Sequence, residues 1–244
     1  MDILITGVAG FIGSKVAKKF VEEGYKVYGI DDLSSGNLNN IPKDVDFINC
    51  NLIDPLSLSK IPKSCKIILH LAGQSSGEIS FHNPIQDLEK NTITTLNLID
   101  FGIKNKVNKI LYASSMSVYG DLNCNNCGVK EENSLIPKSC YGIGKLSSER
   151  YLKIYQEQLP FVALRMFNVY GPGQDMENMR QGMVSIFLSQ AIKNKKISIK
   201  GSLSRFRDFI YIDDVVECWF RASFCESALN QAINLGRGEK TTVN

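Results

Sequence analysis

The chain has 244 residues, enough for one large domain or one and a half, and its 43% hydrophobic content suits a globular protein with a sizeable core, not a disordered or fibrous one. Lys and Arg number 28 against 25 Asp and Glu, a net charge of +3 that is too balanced for nucleic acid to be the main partner. No apolar run approaches the ~20 residues of a membrane span. Nor does a basic segment followed by an apolar one open the chain, so neither a membrane partner nor a secretion signal is expected. Seven scattered cysteines, an odd number, point to reduced thiols and a cytoplasmic protein.

In chain order, Asp2–Thr6 reads as a short buried strand, and Phe11 to Glu23 carries apolar residues at helical spacing before Gly24 closes it. Lys26–Ile30 is a second strand ending at Asp31-Asp32. Val45–Asn49, Cys65–Leu71 and Lys109–Ala113 are further strands, with a long helix from about Asp87 to Ile103 between the last two. A helix from Tyr141 to Gln158 leads through Pro160 into the strand Phe161–Phe167. Strand and helix alternate, which predicts an α/β fold with a doubly wound parallel sheet of Rossmann type. After Gly171-Pro-Gly173 the alternation loosens, so a nucleotide-binding domain is expected over residues 1–170 and a smaller lobe over 171–244.

Three features carry chemistry. Gly7, Gly10 and Gly13 lie between the first strand and the first helix, where glycine permits a tight turn, close approach of backbone to a pyrophosphate, and close helix packing; a glycine turn without a ligand is the alternative. Asp31 follows the second strand where a carboxylate can accept from adenosine ribose hydroxyls. No arginine beside it would receive a 2′-phosphate, which favours NAD over NADP. Tyr141 and Lys145, at i and i+4, share a helix face, so an ammonium can sit beside a phenolate. A tyrosine titrates near ~10, and using it as a base near neutrality requires a shift of ~3 units, roughly 4 kcal/mol. One lysine and a cationic nicotinamide could supply it.

Other candidates are weaker. Cys124 and Cys127 have zinc spacing, but the only histidines are His70 and His82 and no second Cys-x-x-Cys follows, so no metal is expected. The basic run Lys193 to Lys200 reads as a solvated helix end and following strand, with a phosphate site as the alternative.

Gly7-x-x-Gly10-x-x-Gly13, Asp31, His70-Leu-Ala-Gly73, Ser114-Ser-Met-Ser-Val-Tyr-Gly120, Tyr141-x-x-x-Lys145, Arg165-Met-Phe-Asn-Val-Tyr-Gly-Pro172 and Arg207-Asp-Phe-Ile-Tyr-Ile-Asp-Asp214 stand in one order along the whole chain. In this the chain resembles the extended short-chain dehydrogenase/reductase family, the NAD-dependent sugar-nucleotide epimerases and dehydratases. The resemblance implies that Ser115 hydrogen-bonds the reacting sugar hydroxyl, Tyr141 is the base and Lys145 holds the nicotinamide ribose. It places Phe11, Ile12, Asp32, Asn51, Leu52, Leu71, Ala72, Gly73 and Asn91 along the cofactor, and Asn168 and Arg207 at the substrate diphosphate. A planar, permanently charged guanidinium suits that last task; an ion pair with Asp208 is the alternative for Arg207. His70 reads as a satisfied strand residue and Tyr119 as packing.

Several departures shape the expected function. A 4,6-dehydratase of this family needs an Asp-Glu pair directly after its active-site hydroxyl, and this chain has Met116-Ser117, which can do no acid–base work there. A 4-epimerase acting on a UDP-hexose is therefore expected. The alternatives are a nucleotide-sugar reductase, an epimerase at another carbon, or a non-catalytic NAD-binding module. Asn51 stands where an aspartate usually meets the adenine amino group, and Lys200 where an aromatic residue often lies near the nucleotide base. The chain ends at Asn244, sooner than relatives do, which suggests either a fragment with a partial substrate lobe or an open pocket. By the same resemblance a homodimer is expected, through the helices near Tyr141 and from Asp87 to Ile103.

Overall fold

A computed structural model of the chain describes residues 1–121, 128–199 and 201–244; Cys124, Cys127 and Lys200 lie outside them. Its centre is a seven-stranded sheet built from β1 (Asp2–Thr6), β2 (Lys26–Asp31), β3 (Asp46–Asn49), β4 (Cys65–His70), β5 (Lys109–Ser115), β6 (Phe161–Met166) and the seventh strand, Gln231–Leu235. Every neighbouring pair is parallel, and the order runs from the seventh strand through β6, β5, β4, β1 and β2 to β3. Parallel strands covered on both faces are apolar at successive positions. Ile3 and Ile5 enter one core with Val16, Phe20, Val215 and Trp219, while Leu4 enters the other with Leu98, Ile99 and Leu152.

α1 (Phe11–Glu22) buries Val16, Ala17 and Phe20 against the sheet, one helical face at i, i+1 and i+4. Removing the ring of a buried residue such as Phe20 typically costs about 3–5 kcal/mol. Gly24, at φ +82°, then turns the chain into β2. Short α2 (Gly77–His82) is followed by α3 (Pro84–Leu88), with Pro84 in its first turn. The helical stretch expected from about Asp87 to Ile103 runs without a break from Pro84 to Lys104, as α3, a π-turn at Glu89–Ile93, and α4 (Thr94–Lys104). α5 (Cys140–Ile154) starts on Ser139, whose hydroxyl accepts from the Gly142 amide at 3.1 Å, and stops short of the expected Gln158.

The region beyond residue 171 holds the elements that local sequence periodicity marks least. It contains α6 (Met183–Asn194), α7 (Ile212–Phe224), the seventh strand of the sheet, and three short strands, β8 (Phe206–Arg207), β9 (Phe209–Tyr211) and the final Thr241–Thr242. β7 (Asn168–Tyr170) pairs with β9, and β8 with the final strand, as two small ribbons. α7 lies against α1, with the Phe20 and Phe220 rings edge to face at 5.2 Å and Lys19 3.7 Å from Glu217. Residues 212–235, expected in a separate smaller lobe, thus complete the central unit.

Candidate active site

The chain leaves β1 toward one side of the sheet and β4 toward the other, opening a crevice at the carboxyl ends of these neighbours. Gly7, at φ +72°, lies so close to the next loop that a Cβ there would meet the Ala72 nitrogen at 2.7 Å, and a Cβ on Gly13 would meet the Gly7 carbonyl oxygen at 2.0 Å. Gly10 caps α1 with no side-chain bond, and no acidic residue stands in the first turn. The amides of Phe11 and Ile12 thus head a helix end whose dipole favours an anion. Asp31, 9% exposed, accepts from the Ala9 amide at 3.0 Å and the Leu33 amide at 2.9 Å, which fixes its carboxylate beside the glycine loop. A dinucleotide fits this cradle: uncapped amides for the pyrophosphate and a fixed carboxylate for the ribose.

Ser115 closes β5, and its hydroxyl accepts from the Ser117 amide and donates to the Ser117 hydroxyl, each at 3.2 Å. Tyr141 and Lys145 project from one face of α5, as their spacing requires. Lys145 is 4% exposed, with its Nζ 5.7 Å from the Tyr141 ring centre and 5.1 Å from that of Tyr112. Burial lowers the ammonium to about 8, offset in part by the charge of Asp87. Burial pushes Tyr141 up to about 12, the Ser115 hydroxyl lowers it, and Asp87 raises it. Desolvating a phenolate outweighs the help available inside the protein alone.

Beneath these residues runs a directed chain of hydrogen bonds. The Ala72 amide donates to Thr6 Oγ1 at 3.1 Å, and Thr95 Oγ1 donates to the Asn91 carbonyl at 3.0 Å. His70 lies between, 2.8 Å from Thr6 Oγ1 through Nδ1 and 3.1 Å from Thr95 Oγ1 through Nε2. Nε2 must therefore carry the proton and Nδ1 accept. Burial lowers His70 to about 3, so it is neutral, a satisfied strand residue as its position suggested. Behind Ser115, Glu149 receives both Nε and Nη2 of Arg165, at 3.0 and 2.8 Å, and the Ser114 hydroxyl at 2.5 Å. Tyr119 accepts from Arg165 and donates to Asn234, both at 2.7 Å, so its hydroxyl ties the active-site turn to the seventh strand as well as packing.

Gly73 abuts Asn91 Oδ1 and Lys145 Nζ, and Leu71 and Ala72 line the same loop, half-buried. Asn168 lies by the turn after Ser115, its Nδ2 3.7 Å from Met116 Sδ and donating to the Asp208 carbonyl at 2.8 Å. Arg207 donates to the Phe206 carbonyl, and Asp208 is engaged by the Arg237 and Gly238 amides, so these two form no ion pair. Farther out, Asp32 accepts from Ser34, Asn51 Oδ1 accepts from the Ile53 amide at 3.0 Å, and buried Leu52 offers its carbonyl to Asn97. Asp87 and Gln74, which carried no role in the sequence, are also in the cleft. Among the described residues no three metal-ligating side chains cluster.

The profile of the NAD dependent epimerase/dehydratase family matches residues 3–236. The chain belongs to this family. It is an NAD-dependent sugar-nucleotide enzyme of the epimerase class. It is 32% identical to the UDP-glucose 4-epimerase of Mycolicibacterium smegmatis, over all of this chain and 79% of that protein. It is equally 32% identical to UDP-glucuronic acid decarboxylase 1 of Danio rerio, over 99% of this chain but 58% of that protein. The UDP-glucose 4-epimerase of Thermotoga maritima, solved with UDP-glucose, superposes with a TM-score of 0.95 at 35% identity, covering all of this chain and 79% of that one. No helix among the described residues is long and apolar enough to cross a membrane.

Proposed function

We propose that this family member inverts C4 of a UDP-hexose through a transient 4-keto sugar. The observation that carries this is the site as built: Ser115, Tyr141 and Lys145 converge, while Met116 and Ser117 fill the positions where dehydration needs two carboxyl groups. Tyr141 takes the proton of the C4 hydroxyl and returns it on the reverse step, with Ser115 orienting that hydroxyl. Lys145 holds the ribose of the cofactor. Bound NAD would supply the acceptor and donor for the C4 hydride, and a positive charge that favours the phenolate. Asn168 and Arg207 hold the diphosphate; Arg207 has no carboxylate within 4.0 Å among the described residues and so has charge to give.

The relatives support a UDP-linked substrate, since epimerases acting on UDP-glucose are among them. Inversion at another carbon, or net reduction, would use the same three residues. Turnover of UDP-glucose, UDP-galactose and their N-acetyl forms, with NAD binding measured in parallel, separates these readings. Tyr141→Phe should abolish turnover and leave NAD affinity nearly intact, Lys145→Ala should lower both, and Ser115→Ala should retain more activity than Tyr141→Phe. A Tyr141→Phe enzyme working at the parent rate would refute the mechanism.

The same reading extends to a homodimer. Ile143, Tyr151 and Ile154 on α5 are 54, 38 and 71% exposed, and Ile85 on α3 is 74% exposed, an apolar face suited to a second copy.

A further inference from the structure

Asp87 is 1% exposed, although carboxylates are rarely buried without a task. Its Oδ1 accepts from Gln74 Nε2 at 2.8 Å and from Asn91 Nδ2, one turn later, at 3.0 Å. Gln74 is itself held, donating to the Ser76 carbonyl and accepting from the Ser76 amide. Asn91 is fully buried in the π-turn, and its backbone carbonyl is fixed by Ser148 Oγ at 2.7 Å and Thr95 Oγ1 at 3.0 Å. What remains free in Asn91 is which end of its amide faces which way.

An ionised carboxylate can only accept, so Asn91 must turn its NH₂ to Asp87 and its oxygen away. That oxygen is buried and has no partner in the protein. It lies where a Cβ on Gly73 would meet it at 2.6 Å and Lys145 Nζ at 3.2 Å, so an unpaired acceptor and an ammonium share one side of the cleft. A hydroxyl both donates and accepts, and such a pair matches it. On α5, Gly144 leaves room for this arrangement, since a Cβ there would crowd Asn91 Cβ at 3.2 Å.

We infer that Asp87 is a positioning residue: its carboxylate fixes the Asn91 amide so that Asn91 Oδ1 and Lys145 Nζ together receive a hydroxyl of the NAD ribose. This rests on NAD as the cofactor, and the parent protein serves as the control for that. The test is NAD titration by calorimetry on cofactor-free protein, with melting temperatures recorded alongside. Asp87→Leu removes the acceptor, lets the Asn91 amide turn either way and should weaken NAD about tenfold, the scale of one hydrogen bond. Asp87→Asn keeps an oxygen where Gln74 Nε2 and Asn91 Nδ2 both donate, so the Asn91 amide stays oriented. It should bind NAD within about threefold of the parent.

A merely structural Asp87 would move the melting temperature and leave the dissociation constant alone. Folded Asp87→Leu protein with parent NAD affinity refutes the inference, as does a folded Asp87→Asn protein that binds no better than Asp87→Leu. If Asp87→Leu does not fold, Asp87→Ala takes its place with the same outcomes. A parent that binds no NAD would instead refute the cofactor assignment.

Discussion

Lys145 is held at a cost that can be measured. Burial lowers its ammonium from 10.5 to about 8, and at about 1.36 kcal/mol per pKa unit the folded state gives up roughly 3 kcal/mol to keep the charge. Lys145→Met fills the same channel without charge, but it loses the contacts with the Tyr112 and Tyr141 rings and leaves Asp87 without its nearby cation. Those losses offset about half of the gain, so cofactor-free Lys145→Met should be more stable than the parent by about 1–2 kcal/mol at neutral pH. The sign with pH follows from linkage. Between about 8 and 10.5 the unfolded parent binds more protons than the folded one, so parent stability rises with pH across that window. The penalty is fully present below about 8, and the advantage of the variant should shrink as pH rises. Urea unfolding of both proteins at about pH 7 and about pH 9.5 measures the gap, and Tyr141 is present in both. A variant less stable than the parent at pH 7, or a gap that does not change with pH, would show that the ammonium is not strained.

Gly13→Ala forces a Cβ to within 2.0 Å of the Gly7 carbonyl, so the glycine loop must open; calorimetry should show NAD binding lost, and parent-like binding would contradict the packing described. Glu149→Gln leaves the Arg165 guanidinium buried without its charge partner, a loss of about 3–5 kcal/mol that should lower the Tm by roughly 10 °C. A shift within about 2 °C would show the pair to be dispensable. For the proposed homodimer, light scattering at micromolar concentration should give twice the chain mass, and Ile154→Glu on the exposed face of α5 should give monomer. A monomeric parent would remove that proposal.

The amino-acid sequence by itself determined the elements whose signals are local. Alternating apolar runs placed β1 to β6 to within a residue or two, the glycines marked the turn between β1 and α1, and Tyr141 with Lys145 needed only the geometry of one helix to share a face. Tertiary structure alone decided what depends on residues distant in the chain. The seventh strand and α7 join the first unit because Trp219 and Val215 find their cover against Phe20 and Val16, contacts no local period encodes. A π-turn loosens the regular ladder inside the expected helix, where Ser148 and Thr95 both donate to the Asn91 carbonyl. The charge state of Tyr141 is set by how deeply it is enclosed, which its sequence neighbours do not report. Asp87, a helix boundary in the sequence, becomes part of the cleft because the loop after β4 brings Gln74 to it and the next turn brings Asn91. Spacing shows which residue types can meet; solvation and hydrogen-bond direction, which fix their chemistry, arise only when distant segments close over them.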